Sequence, residues 1–152
     1  RLMYGETAYR IYEAHPLLGV GLGNYAFYFE EMLPARYLGD TPEILRLLSQ
    51  NVIRYRLMTP KNFYLRILAE TGLAGFATFL AFVAAVFGCA LYLYTSPSEE
   101  ERYWGSGGLF AMVAFVISAL SFDSFAIPNL WVAFGLITAA AWIFRRTPQP
   151  QP

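Results

Sequence analysis

Apolar and polar positions divide the chain into two unlike parts. Residues 1 to about 60 mix polar, charged and apolar side chains, and eight of the eleven basic residues lie by position 66. From about residue 63 to 144 the sequence carries three apolar stretches: Leu73 to Tyr94, Trp104 to Phe122, and Pro128 to Phe144. A helix that crosses a bilayer needs about 20 apolar residues, with a range of about 17–25, and all three stretches reach it, the third narrowly. With the charged turns ahead of the first stretch included, the pattern predicts spanning helices over about 63–94, 104–122 and 128–144. Breakers separate them, "TSPSEEER" at Thr95–Arg102 and "FDSFAIP" at Phe122–Pro128. The tail after Arg146, residues 147–152, reads as disordered.

The polar part, residues 1–62, is also expected to be helical. "YGETAYRIYEAHP" (Tyr4–Pro16) suits a short helix that ends before Pro16. "GDTPEILRLLSQNVIRYR" (Gly39–Arg56) opens on a helix-start signal: Asp40 or Thr41 can cap, Pro42 fits the first turn, and Glu43 suits the positive end. Ile44, Leu48, Val52 and Tyr55 then form an apolar stripe, with Glu43, Arg46, Gln50 and Arg54 on another face. Such a helix would lie on a membrane surface or against other helices.

Composition strengthens the membrane reading. Apolar residues make up 57% and charged residues 14%, against about 45–50% and about 25% in soluble domains. The chain therefore reads as an all-α membrane protein, a polar helical loop followed by three transmembrane helices. Formal net charge is zero, so no nucleic-acid footprint is indicated. The single Cys89 lies in an apolar run and reads as a small core or lipid-facing residue. Arg145 and Arg146 after the third stretch favour a cytoplasmic C-terminus, which puts residues 1–62 outside the cytoplasm. Tyr92, Tyr94, Tyr103, Trp104 and Trp142 would then form the inner aromatic belt. The start "RLMYGETAYR" is neither a signal peptide nor a span, and the chain reads as the C-terminal piece of a longer protein.

Candidate chemistry concentrates in "TPKNFYLRILAETGLAG" (Thr59–Gly75). Thr59 can cap a helix and Pro60 fits its first position, which would place Lys61 and Asn62 in the first turn. Asn62, Arg66 and Glu70 recur every four residues and share a face. A helix start prefers anions, so a lysine there breaks a local rule. Lys61 makes sense if a phosphate or pyrophosphate docks beside it; a snorkelling lysine at lipid headgroups is the other reading. Arg66 and Glu70 are either part of a site or an ion pair that anchors the helix in a bundle. Gly72 and Gly75, one turn apart, suit close helix contact.

These residues resemble a known family. "HPLLGVGLGNY" (His15–Tyr25), an outer loop and then "KNFYLRILAETGLAG" are similar to the C-terminal part of the O-antigen ligase/polymerase superfamily, multi-spanning GT-C-like glycosyltransferases of bacterial envelopes. The family's stretch reads His-Asn (or Ser, Gln), nine residues, then Gly-x-x-Gly. Here Asn62 is followed by Phe63–Thr71 and then Gly72-Leu-Ala-Gly75. Arg1 stands where the family often has an arginine on the helix entering the loop.

The resemblance implies transfer of a glycan from undecaprenyl pyrophosphate to a hydroxyl of an acceptor, at the outer face of the inner membrane and without metal or other cofactor. The acceptor would be lipid A–core, another glycan or a protein. Arginines would hold the pyrophosphate, and Lys61 and Asn62 would occupy the catalytic positions. Arg1, Arg54, Arg56, Arg66 and Glu70 would bind substrate, and missing N-terminal transmembrane helices would complete the site. A piece lacking them is expected to be inactive.

The sequence departs from the family at its central residue, because Lys61 replaces the loop histidine. Lysine can bind pyrophosphate as a point charge, but as a base it would need its pKa lowered from about 10.4 toward 7. Either the mechanism needs no strong base, or this member is altered or inactive. His15 precedes Pro16 and reads as structural. Any of Arg1, Arg10, Arg36, Arg46, Arg54 and Arg56 could clamp phosphate, or simply meet water or headgroups. Asp123 reads as a cap or turn residue; Tyr25, Tyr28, Tyr55 and Tyr64 read as packing residues or sugar-stacking ones. Two rivals remain: a non-catalytic transporter or scaffold on the same helices, and a lipid-surface binding module in which the arginines meet anionic headgroups.

Overall fold

The computed structural model describes residues 1–37, 58–124 and 127–146. Within them the chain is all-helical: α1 (Leu2–Ala14), α2 (Tyr25–Met32), a 3-10 turn (Ala35–Tyr37), α3 (Phe63–Tyr94), α4 (Glu99–Ser118) and α5 (Pro128–Arg146). The expected helix over Gly39–Arg56, with Arg46, Arg54, Tyr55 and Arg56, lies outside the described residues, as does the tail 147–152. The chain forms two compact units. The first is Arg1–Thr78 with Ala119–Asp123, and the second is Phe79–Ser118 with Ser124–Pro152.

In the first unit α1 ends where expected: His15 caps it, one residue ahead of Pro16. Helix α2 lacks a side-chain cap and any strong local signal. It forms because Tyr25, Phe29 and the flanking Leu33 bury themselves against Ala8 and Ile11 of α1 and Ala69 of α3. The Tyr25 hydroxyl donates to the Tyr4 carbonyl oxygen at 2.8 Å, which satisfies the one polar atom this side chain brings into the core. Burial pushes the Tyr25 phenol well above its ordinary pKa.

Helix α3 is interrupted at Gly72, whose φ of 63° and ψ of −164° are not helical. The expectation of close helix contact through Gly72 and Gly75 is therefore corrected. Gly72 breaks the helix, and what approaches it is the backbone of Leu17 and Leu18. The break frees main-chain groups, and the loop after α1 pairs with them. Val20 and Gly21 N–H donate to the Ala69 and Glu70 carbonyls at 3.1 and 2.8 Å, while Leu73 and Ala74 N–H donate to the Pro16 and Leu17 carbonyls at 2.8 and 3.1 Å. Gly19, also left-handed, brings this loop against the Glu70–Thr71 backbone.

In the second unit, Phe79 and Phe82 of α3, Phe115 of α4 and Trp131 and Phe134 of α5 make a network of edge and tilted ring contacts. Leu93, Ala140 and Ala141 are buried together, with Cys89 and Phe144 packed on them. Phe110, Val113, Ile117, Val132, Leu136 and Ile143 remain exposed, an apolar surface of the kind a bilayer covers. Among the described residues one helix, α3, is long and apolar enough to cross a membrane, rather than the three expected. Its limb from Leu73 onward matches the first apolar stretch and, at about 1.5 Å per residue, spans a hydrocarbon core of about 30 Å.

The other two helices are not equally apolar along their length. Helix α4 begins five residues before Trp104, because Glu99, Glu100 and Glu101 suit the positive end of a helix and extend it into the polar connection. Helix α5 ends on Arg145 and Arg146, which suit the negative end. The Arg146 guanidinium lies 3.9 Å from the ring centre of Trp142.

Candidate functional site

Helix α3 starts where the predicted span of about 63–94 starts, and not at the capping signal ahead of it. The helix begins at Phe63, and neither Thr59 nor Pro60 opens it. Asn62 is the cap instead: its Oδ1 accepts the Leu65 N–H at 3.1 Å. Lys61 sits one residue outside, with a φ of 57°. A lysine in that left-handed region is uncommon and is held only when its surroundings impose it.

Here the surroundings are the turn Ala119–Asp123, which also belongs to the first unit. Lys61 N–H donates to Asp123 Oδ2 at 2.9 Å, Asn62 Nδ2 lies 3.5 Å from the Leu120 carbonyl oxygen, and Phe63 N–H donates to the Ala119 carbonyl at 2.9 Å. The Arg66 guanidinium donates to the carbonyl oxygen of Asp123. Arg66 is in turn paired with Glu70 at 3.2 Å, and the Glu70 side chain is 1% exposed. Of the two readings for Arg66 and Glu70, the geometry fits the anchoring ion pair, since a carboxylate this deep requires a partner.

In front of this scaffold lies a cleft of about 540 Å³. Arg1, Glu6, Arg36, Tyr37, Lys61 and Asn62 supply its polar lining, with Leu2, Leu65 and Leu120 among its apolar walls. Arg1, Lys61 and Asn62, 60 residues apart in sequence, are thus brought to one place, while Arg66 and Glu70 stand outside its lining. Among the described residues the Lys61 ammonium has no ion-pair partner.

Arg36 is engaged differently. It pairs with Glu6 Oε2, which also accepts the Tyr37 hydroxyl at 3.0 Å; Arg10 stands 3.9 Å from Glu6 Oε1. Desolvation raises the Glu6 carboxyl, but the hydrogen bonds from Arg36 and Tyr37 and the charges of Arg36 and Arg10 outweigh it. Glu6 therefore titrates below the ordinary carboxylate range. The bond to Glu6 holds the Arg36 guanidinium above its ordinary value.

The other candidates are packing residues. The His15 ring meets Tyr28 edge-on at 5.6 Å, Tyr25 is core, and Tyr64 is half-buried on the first turn of α3. Glu6 and Tyr37 are site residues that the sequence reading missed. The spacing of Glu6 and Arg10, four residues apart on one helix, was the signal for the first. For Asp123 the sequence offered its isolation, as the one charged residue of the Phe122–Pro128 connection. No family model, curated protein or solved structure matches the chain.

Proposed function

We propose that the cleft binds the pyrophosphate of a lipid-linked glycan, and that the protein is an inner-membrane glycosyltransferase of the O-antigen ligase/polymerase type. The observation that carries this reading is the convergence on one cleft of Arg1, Arg36 and Lys61, the last with no ion-pair partner among the described residues. Among the described lining residues three cations face one carboxylate, Glu6, a surplus of two positive charges. A pyrophosphate diester, the form in which a glycan is carried on a polyprenol, bears two negative charges. Exposed apolar surfaces on α4 and α5 support a reading in which these helices also lie in the bilayer, with the cleft on its outer side and the C-terminus in the cytoplasm.

In the reaction, an acceptor hydroxyl oxygen bonds to the anomeric carbon of the donor sugar. The bond from that carbon to the pyrophosphate oxygen breaks, and its electron pair leaves with the polyprenyl pyrophosphate. The hydroxyl proton passes to solvent. The cations stabilise the charge that grows on the leaving group, which is work a protonated lysine can do. No metal is invoked. Lys61 in the place of the family's histidine thus acts as an anion clamp, and Asn62 sets the start of α3.

The test is transfer from a synthetic undecaprenyl-pyrophosphate glycan in membranes containing the full-length parent protein. Lys61→Ala is expected to lower turnover by about tenfold or more, in line with the loss of one electrostatic contact to a transition state. Lys61→His retains more activity than Lys61→Ala. A folded wild type that stays silent with several donors and acceptors defeats the enzyme reading and leaves the transporter or scaffold.

A further inference from the structure

Four hydrogen bonds join the turn Ala119–Asp123 to the start of α3, and three of them end on backbone carbonyls of the turn. Those three survive most substitutions in the turn. The fourth, from Lys61 N–H, ends on the Asp123 carboxylate. It fixes the one residue of this segment whose backbone is strained, at a position glycine would occupy without strain. What the lysine brings there is its ammonium, and that ammonium lines the cleft.

We infer that Asp123 is a positioning residue: its carboxylate holds the Lys61 backbone in the left-handed region and so aims the ammonium at the bound pyrophosphate. The inference rests on the reading of the cleft as a pyrophosphate site. Placement passes from the buried Glu70 to Arg66, from Arg66 to the Asp123 backbone, and from the Asp123 side chain to Lys61. None of Glu70, Arg66 and Asp123 lines the cleft, so each acts through the next residue. The motif face that carries Arg66 and Glu70 thereby acquires a role without touching substrate.

The charge on Asp123 complicates a simple deletion, since removing a carboxylate near a cationic cleft favours anion binding in any case. Asp123→Asn and Asp123→Ala remove the same charge. They differ in that the amide oxygen still accepts the Lys61 N–H. The experiment is a titration of inorganic pyrophosphate into the purified protein in detergent micelles, followed by phosphorus NMR.

Wild type is expected to bind, and Lys61→Ala to bind about tenfold more weakly. Asp123→Asn should match or exceed wild type, with Asp123→Ala about tenfold weaker than Asp123→Asn. In the Lys61→Ala background the two Asp123 variants should bind equally, because the cycle then contains no ammonium to place. Equal binding by Asp123→Ala and Asp123→Asn with Lys61 present overturns the inference. So does a difference that persists without Lys61, which marks a general structural role. A wild type that binds no better than Lys61→Ala removes the pyrophosphate reading itself. If Asp123→Ala does not keep its helical circular dichroism, Asp123→Glu replaces it. That variant keeps the charge but moves the acceptor by a methylene, and it should bind more weakly than wild type; equal binding overturns the inference.

Discussion

In the first unit a Cβ added to Gly19 or Gly72 would run into the backbone of the segment it faces, and both residues have φ near 65°. In the second unit a Cβ on Gly88, Gly107 or Gly135 meets nothing within 4 Å. Gly19 and Gly72 are where main chain meets main chain in the first unit. The loop Pro16–Gly21 and the break in α3 exchange four hydrogen bonds there, and the break exists because the loop satisfies it. In the second unit the helices meet through rings, small side chains and one close approach, Gly105 of α4 against the Leu93–Tyr94 backbone of α3, while these three glycines are free to change. Among the described residues the left-handed glycines all belong to the unit that holds the cleft, whereas the close backbone approach of the second unit, at Gly105, needs no unusual φ.

The sharpest way to break that contrast is to add one methyl group on each side of it. Gly72→Ala should destabilise the protein by about 4 kcal/mol, combining left-handed strain with a backbone clash that has no flexible partner to yield. Gly88→Ala should stabilise by about 0.5–1 kcal/mol, since it adds helix propensity and meets open space. Thermal unfolding in detergent, followed by circular dichroism, reads both. Similar effects of the two substitutions would show that the backbone lock at Gly72 is not what distinguishes the first unit.

Much of this contrast could be read in the sequence, but not its cause. The stretch from Leu73 to Tyr94, the end of α1 before Pro16 and the all-helical class follow from local signals: apolar length, proline and periodicity. The cleft was half legible, since Arg1, Lys61 and Asn62 were candidates and do meet. The break at Gly72 was not, because local propensity favours a continuous helix; the groups that end it belong to residues 16–21, some fifty positions earlier. Helix α2 is another tertiary effect, made stable by the core that Tyr25 and Phe29 enter rather than by its caps. Glu6 escaped notice because its partners Arg36 and Tyr37 are 30 and 31 residues away. The cap of α3 lies at Asn62 rather than Thr59 because the turn Ala119–Asp123, more than fifty residues later, accepts the N–H groups of Lys61 and Phe63.

The ion pair behind the cleft sharpens the comparison at the next level. Glu70→Ala should destabilise by about 3 kcal/mol, because it leaves a largely buried guanidinium without its carboxylate. The same unfolding measurement applies, and a loss under about 1 kcal/mol would mean that Arg66 simply turns to solvent. Asn62→Ala should be milder, about 1 kcal/mol for a lost helix cap, and Asn62→Asp should recover most of it because a carboxylate accepts the same Leu65 N–H.

The smallest effect belongs to Glu6, and its value lies in the sign. Arg36 and Tyr37 on the 3-10 turn and Arg10 on α1 hold this carboxyl, while Arg1 and Lys61 share its cleft. Desolvation raises the folded pKa, but the hydrogen bonds from Arg36 and Tyr37 and the charges of Arg36 and Arg10 outweigh it and set it below the unfolded one. A depressed pKa means that the contribution is fully present above the unfolded value and is lost as pH falls through the folded value. The stability difference between wild type and Glu6→Gln should therefore stay constant from pH 7 down to the ordinary carboxylate range and shrink only on its acid side. It should be small throughout, because the Arg36 partner is 66% exposed and water screens the pair. The same comparison made with inorganic pyrophosphate tells whether Arg36 belongs to Glu6 or to the ligand. If Glu6→Gln frees the guanidinium for the anion, affinity rises while stability falls slightly. If affinity falls with stability, the pair is a brace that shapes the cleft, and Arg1 and Lys61 alone meet the ligand.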